Sequence, residues 1–180
     1  MKKILFYLLT FLVFNIKAQT LTGISVKYND AYVDWTIYTD DEDVEGNLTM
    51  TWQNPDDWSQ WTYRIGEHTG TIKTKWNKDL SHWEIRGDNK IISAQQTWQG
   101  DNRQWRITNN SFSLDLKCKY GNNWNDWVVD DSKRGKFSVL TAYPNDPRDW
   151  NIEDETTEEV PLTMKMTIVF MSIINSVPKD

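Results

Sequence analysis

Apolar and polar residues alternate with a period of two through most of the chain. In the run from Phe112 to Tyr120, every second residue is apolar or aromatic, and the residues between them are Ser, Asp and Lys. Alternation over about four to eight residues is typical of a β-strand that buries one face. Short clusters of Asn, Asp, Gly, Pro and Ser, which are turn-forming residues, separate the runs. The pattern therefore predicts consecutive antiparallel strands joined by tight turns.

Pairs of aromatic residues recur about every 22 residues and mark six repeats. The first aromatic residues of the pairs are Tyr28, Trp52, Trp76, Trp98, Tyr120 and Tyr143. The second aromatic residues are Trp35, Trp61, Trp83, Trp105, Trp127 and Trp150. Recurrence at a fixed interval indicates a repeated supersecondary unit, which we interpret as a β-hairpin with both aromatic residues near its turn, on one face. We expect all twelve rings to lie in the core; a row of rings that stack on a ligand is the alternative.

Six such hairpins predict an antiparallel up-and-down meander of 12 strands. The run from Leu162 to Ile174 adds a thirteenth strand by its alternation, and no segment predicts a helix. One face of this sheet is apolar and must be covered. The fold class is therefore all-β, a closed or nearly closed barrel of about 12–13 strands, with a curled single-layer sheet or a two-layer sandwich as alternatives.

The N-terminal residues have the features of a secretory signal peptide. Lys2 and Lys3 precede an apolar run from Ile4 to Phe14, and Ala18 closes the segment. The run is shorter than the roughly 20 residues that span a bilayer. We therefore predict a signal peptide over residues 1–18, a single hairpin-repeat domain over 19–180, and no transmembrane segment after signal removal. The protein is expected to be exported, as a periplasmic or extracellular component of a bacterial envelope.

Charge and composition narrow the function classes. Residues 19–180 hold 17 of the 20 basic residues and all 26 acidic ones, a net charge of −9, which disfavours nucleic acid and polyanionic glycans as partners. The acidic runs Asp40 to Glu45 and Glu153 to Glu159 lack the spacing of a calcium loop, and we interpret them as solvated loops. Cys118 is the one cysteine, which excludes an intramolecular disulfide. His68 and His82 have no partner at ligand spacing, so no metal site is predicted.

The chain lacks the motifs of common catalytic classes. It contains no G-x-S-x-G, no H-E-x-x-H and no glycine-rich phosphate loop. We therefore predict a protein that is not an enzyme and that needs no cofactor.

The hairpin turns supply a candidate binding site. The residues three positions before the second aromatic residues are Tyr32, Trp58, Leu80, Asn102, Trp124 and Pro147. Turn tips are usually polar, so large apolar residues there indicate a contact surface. We predict that Tyr32, Trp58, Leu80 and Trp124, with Asp57 and Asp126 beside them, form a rim at one end of the sheet. The alternative is that these tips fold back and cap the core.

This rim predicts a non-catalytic binding module. Aromatic faces beside carboxylates and amides suit the rings of a neutral glycan, and they equally suit an envelope protein, because Trp and Tyr are favoured contact residues. Two alternatives remain open: a barrel that carries a small apolar ligand, and a structural component of the cell envelope. Thr74, Gln96 and Thr141 interrupt the apolar face, which disfavours an outer-membrane barrel.

Overall fold

The computed structural model describes residues 20–28, 31–52 and 57–179, which form twelve strands and one helix. The strands are β1 (Leu21–Val26), β2 (Asp34–Thr39), β3 (Gly46–Met50), β4 (Gln60–Ile65), β5 (His68–Thr74), β6 (His82–Gly87), β7 (Lys90–Gln96), β8 (Gln104–Thr108), β9 (Ser113–Cys118), β10 (Asp126–Asp131), β11 (Gly135–Tyr143) and β12 (Asp146–Thr156). The helix α1 is Leu162–Ser176. The predicted signal peptide lies outside the described residues.

The twelve strands form a closed antiparallel barrel. Each strand pairs with its neighbours in sequence, and β1 pairs with β12 to close the sheet. Closure removes the unpaired strand edges that would otherwise template aggregation. The prediction of an all-β up-and-down meander that closes into a barrel is confirmed.

The alternating residues of the strands separate into an inner and an outer face. In β4, Trp61, Tyr63 and Ile65 are buried, whereas Thr62 and Arg64 face outward. Most other strands follow the same pattern, so the barrel has an apolar interior and a largely polar outer surface; in β10 and β11 the residues between the inward ones, Val128 and Ser138, are buried as well. Burial of these apolar faces is the main source of stability in such a fold.

The interior of the barrel holds α1, and the prediction of a thirteenth strand over Leu162 to Ile174 is wrong. The expectation that no segment forms a helix is wrong for the same reason. Twelve consecutive helix residues, Thr163 to Ile174, are buried, so α1 is enclosed by the barrel on all sides. The ring of Phe170 makes edge contacts with Trp61 and Trp83, at centroid distances of 5.6 and 5.0 Å. A helix buried on all sides shows no amphipathic period, and its apolar run can alternate by chance.

Polar groups tie α1 to both ends of the barrel. Near its start, Lys165 Nζ lies 2.7 Å from a carboxylate oxygen of Asp154, and the two side chains are 7% and 2% exposed. Near its end, the hydroxyl of Ser176 donates to the carbonyl of Trp124 at 2.7 Å and accepts the indole N–H of Trp127 at 2.9 Å. These contacts set the direction of α1. The helix begins at the end of the barrel where β12 finishes, and it ends at the opposite end, beside the turn that contains Trp124.

Candidate binding surface at the aromatic end

Six hairpin turns lie at one end of the barrel, which we call the aromatic end. They join β1 to β2, β3 to β4, β5 to β6, β7 to β8, β9 to β10 and β11 to β12. Because consecutive strands alternate in direction, every turn that follows an odd-numbered strand lies at this end. The aromatic pairs of the sequence flank these turns, so the repeat places twelve aromatic residues at or near one end of the molecule.

One backbone hydrogen-bond pattern holds these turns. In five hairpins, the N–H before the first aromatic residue donates to the carbonyl before the second, at 2.9–3.0 Å: Lys27 to Asp34, Thr51 to Gln60, Lys75 to His82, Thr97 to Gln104 and Lys119 to Asp126. A second set joins neighbouring hairpins at 2.8–3.1 Å: Met50 to Val33, Thr74 to Ser59, Gln96 to Ser81, Cys118 to Arg103 and Thr141 to Asn125. Repeated pairing within and between turns holds the described residues at the base of these turns in a regular arrangement.

The second aromatic residues explain the fixed interval of the repeat. All six indoles are buried, and each donates its N–H to the backbone carbonyl three residues earlier, at 2.8–3.0 Å. The accepting residues are Tyr32, Trp58, Leu80, Asn102, Trp124 and Pro147. Because the bond uses a main-chain carbonyl, the side chain at the turn tip can vary without loss of the bond. A buried Trp N–H needs such a partner.

A carboxylate or amide four residues before the buried indole stabilises each of five turns. Oδ1 of Asp57, Asp79, Asp101, Asn123 and Asp146 accepts the backbone N–H two residues later, at 2.9–3.2 Å. This is an Asx turn, in which the side chain replaces a backbone acceptor. Hydrogen bonds from Ser59 and Ser81 hold the pKa of Asp57 and of Asp79 below the ordinary value. This role was not predicted from the sequence, although Asp or Asn recurs at that position.

The predicted rim residues lie at the aromatic end, partly folded back onto the core. Tyr32, Trp58 and Trp124 are half-buried, and their rings lie 6.1, 5.8 and 5.8 Å from those of the buried indoles that follow them. Leu80 is 38% exposed. Asp126 lies at the start of β10, 3.4 Å from Lys119 Nζ. The fold thus brings all of these residues to one end, and three of the four tips also cover the core.

The first aromatic residues form the exposed surface of this end. Tyr28, Trp52, Trp76, Trp98, Tyr120 and Tyr143 are each between 60% and 65% exposed. The expectation that all twelve rings lie in the core is therefore wrong for these six. Five of them lie two residues beyond the last residue of a strand, where the alternation of the ladder no longer directs a side chain inward.

The exposed rings are spaced around the mouth of the barrel and differ in their neighbours. Adjacent hairpins are two strand spacings apart, roughly 10 Å. In alternate hairpins a lysine precedes the ring, and the ammonium lies over it at 5.8, 5.6 and 5.0 Å: Lys27 over Tyr28, Lys75 over Trp76, and Lys119 over Tyr120. Each of these three rings therefore has a cation against it.

The opposite end of the barrel is acidic. An open cavity of about 780 Å³ there is lined by Asp40, Asp41, Glu42, Glu67, Asp88 and Glu158, among others. His68 Nδ1 lies 3.1 Å from a carboxylate oxygen of Asp88. Among the described residues, no group of His, Cys, Asp and Glu side chains is arranged to hold a metal ion.

Cys118 is buried, and burial raises the pKa of its thiol to about 12, so the thiolate nucleophile is disfavoured.

Comparison with known proteins finds no matching family model, no matching curated protein and no matching solved structure. Within the described part of the chain, no helix has the length and apolar character needed to cross a membrane. Function is therefore inferred from the residues of the aromatic end and their geometry.

Proposed function

We propose that the protein is a secreted or periplasmic, non-catalytic binding module whose aromatic end binds a neutral glycan. The observation that carries this proposal is the set of six exposed aromatic rings at equivalent positions of regularly paired hairpins. The buried indoles and the tip carbonyls already hold each turn, so the exposed rings are not needed for the hairpin bonds. Large aromatic residues kept in water at equivalent positions support a contact function.

The chemistry around the rings favours a glycan over a flat apolar partner. A pyranose has apolar C–H faces and hydroxyl edges, and it therefore needs an aromatic platform with hydrogen-bonding groups beside it. Ammonium groups lie over three of the rings at this end, and the amides of Asn125 and Asn145 form a hydrogen bond between the fifth and sixth hairpins. A protein partner would favour a contiguous apolar centre, which is typical of protein interfaces.

The remaining features support binding without catalysis or internal transport. The carboxylates of Asp57, Asp79, Asp101 and Asp146 are engaged as turn caps, which leaves them poorly suited to proton transfer. A carrier of an apolar ligand would need the interior space that α1 occupies. The gap between the C-terminal part of α1 and the wall near Trp35 and Trp61 has no room for a water molecule.

The test is retention of the chain from residue 19 on insoluble cellulose, chitin, mannan and xylan, followed by an array of neutral glycans. The triple variant Trp52→Ala, Trp76→Ala and Trp98→Ala should lose retention while its unfolding midpoint stays near that of the wild type, because all three rings are exposed. Ile91→Ala, which removes an exposed apolar side chain from β7, is the matched control and should be retained normally. A wild-type chain that binds no glycan but captures an envelope protein through the same rings would replace the glycan with a protein partner.

A further inference from the structure

The sixth hairpin is built differently from the other five. Its strands β11 and β12 continue to a two-residue turn, so that Tyr143 pairs directly with Asp146 in the ladder. The other five hairpins open into wider turns beyond the last strand residue. The sixth hairpin also closes the barrel, because β12 pairs with β1 and Asp149 lies opposite Ser25. We call the junction of β12 and β1 at the aromatic end the seam.

A cleft of about 300 Å³ lies at the seam. It is lined by Ser25, Val26, Tyr143, Asp146, Arg148 and Asp149. This volume is at the low end of small-molecule pockets, which run from about 300 to 1,000 Å³, and it suits a single sugar ring. One wall of the cleft is Tyr143, which is one of the six exposed rings, so the cleft and the aromatic surface are continuous.

Tyr143 lines the cleft, and a second tyrosine, Tyr38, is hydrogen-bonded to the lining residue Ser25. The hydroxyl groups of Ser25 and Tyr38 are hydrogen-bonded at 2.9 Å, and Tyr38 is 40% exposed. The ring of Tyr38 lies beside Gly23: a Cβ placed on that glycine would be 3.6 Å from the Tyr38 Cδ2 atom. The ring thus lies along β1 on the outer face, while Tyr143 stands on the opposite side of the seam. A sugar in the cleft would therefore meet one aromatic ring, that of Tyr143, while Tyr38 holds the Ser25 hydroxyl from outside the cleft.

The polar groups of the cleft are held in place by one another. Arg148 Nε and Nη2 donate to the two carboxylate oxygens of Asp146, at 2.8 and 2.6 Å, which fixes the plane of the guanidinium. Planar two-point pairing of this kind gives defined geometry as well as energy. With Asp149 the cleft has two carboxylates and one guanidinium, so it offers acceptors and donors for hydroxyl groups and a net negative charge that opposes anionic sugars.

We propose that this seam cleft is the primary subsite of the aromatic end and takes one neutral hexose unit of the glycan. The inference rests on the proposed function and adds where the sugar lies and which residues hold it. Tyr143 supplies the stacking face, while Arg148, Asp149 and the Ser25 hydroxyl hydrogen-bond the ring hydroxyls.

The fourth hairpin offers a matched comparison within the same chain. Its DNRQW segment repeats the DPRDW segment of the sixth, and Arg103 forms the same two-point pair with Asp101, at 2.8 Å for each bond. Arg103 Nη1 also donates to Asn122 of the next hairpin at 2.9 Å. Loss of Arg103 therefore removes an equivalent ion pair away from the seam.

The experiment is a ¹H–¹⁵N NMR titration of the chain from residue 19 with the methyl glycosides of glucose, galactose, mannose and N-acetylglucosamine. At least one glycoside should shift the amide signals of Ser25 and of the segment from Tyr143 to Asp149. Tyr143→Ala and Arg148→Ala should each weaken that response at least about tenfold, which corresponds to about 1.4 kcal/mol. Arg103→Ala should leave it unchanged.

The outcomes separate this inference from the proposed function. Shifts confined to the turns around Trp52, Trp76 and Trp98, with the seam silent, would overturn the seam cleft and leave a glycan-binding aromatic end. Equal losses in Arg148→Ala and Arg103→Ala would also overturn it, because the effect would then be a general consequence of losing the ion pair. If no glycoside shifts any amide, the subsite is overturned, and failure of the polysaccharide retention test as well would remove the proposed function.

Discussion

The two aromatic residues of one hairpin, seven positions apart, have opposite environments. Trp105 is fully buried and donates its indole N–H to the carbonyl of Asn102 at 2.8 Å. Trp98 is 65% exposed, although the same turn joins the two residues. One ring therefore belongs to the core and the other to the surface. A repeat in the sequence thus marks equivalent positions of the hairpins. Whether the ring at such a position is buried depends on whether the residue lies within the strand ladder or beyond its end.

The largest expected effect separates these two rings by stability. Trp105→Ala should lower the free energy of unfolding by about 3–5 kcal/mol, the usual cost of truncating a buried aromatic residue. Trp98→Ala should stay within about 0.5 kcal/mol of the wild type, as surface substitutions do. Urea unfolding of both variants measures the difference. Comparable losses in the two variants would mean that the exposed rings also support the fold.

A smaller effect is expected where the buried rings meet α1. Phe170→Leu keeps an apolar side chain but removes the edge contacts with Trp61 and Trp83. Each such contact contributes about 0.5–1.5 kcal/mol, so the variant should lose roughly 1–3 kcal/mol. Trp76→Leu, at an exposed ring, is the matched control and should be close to neutral. A neutral Phe170→Leu would show that ring geometry in the interior is unimportant and that apolar volume alone suffices.

The smallest expected effect is the acid sensitivity of the turn between the two rings. Hydrogen bonds from Arg103, first from its side chain and then from its backbone N–H, lower the pKa of Asp101 to about 2. The unfolded chain, with an Asp pKa near its ordinary 3.8, binds a proton first as the pH falls. Stability from this group is therefore present above about pH 4 and is lost as the pH falls towards about 2.

Asp101→Asn tests this directly, since it keeps the turn cap and removes the titration. Asn123 already caps the equivalent turn of the fifth hairpin at 3.0 Å. The urea midpoint of the variant should fall less steeply than that of the wild type between about pH 4 and pH 2. An identical slope would mean that Asp101 has the same pKa in the folded and unfolded chains.

The barrel could be predicted because strand parity is local and strict. Trp61, Tyr63 and Ile65 are apolar at every second position, and short turns force neighbouring strands to be antiparallel. The helix could not be predicted in this way, because Met164, Lys165 and Met166 are all buried and no polar face interrupts the run. The length of the segment was the available evidence for a helix, since its 13 mainly apolar residues exceed the four to eight or so that are usual for a strand.

The candidate site was only partly predictable for a different reason. The prediction of the rim rested on the side chains at the turn tips. In the fold, the backbone carbonyls of residues such as Trp58 and Leu80 accept the indole N–H bonds, and the residue type does not reveal such a backbone role. The recurrence of Asp or Asn four residues before five of the six buried indoles was a usable signal for the Asx turns. The seam cleft was not predictable, because it joins Ser25 to Asp149, from the first and last strands, and only closure of the barrel brings them together.

The position of α1 after all twelve strands has a consequence for the timing of folding. The residues of α1 are synthesised after all twelve strands, and β1 finds its partner β12 only when eleven strands have been made after it. Each earlier hairpin emerges with one apolar face and nothing to bury it, and an isolated hairpin is marginally stable at best in water. We therefore expect the barrel to close and become stable only once both β12 and α1 have been synthesised.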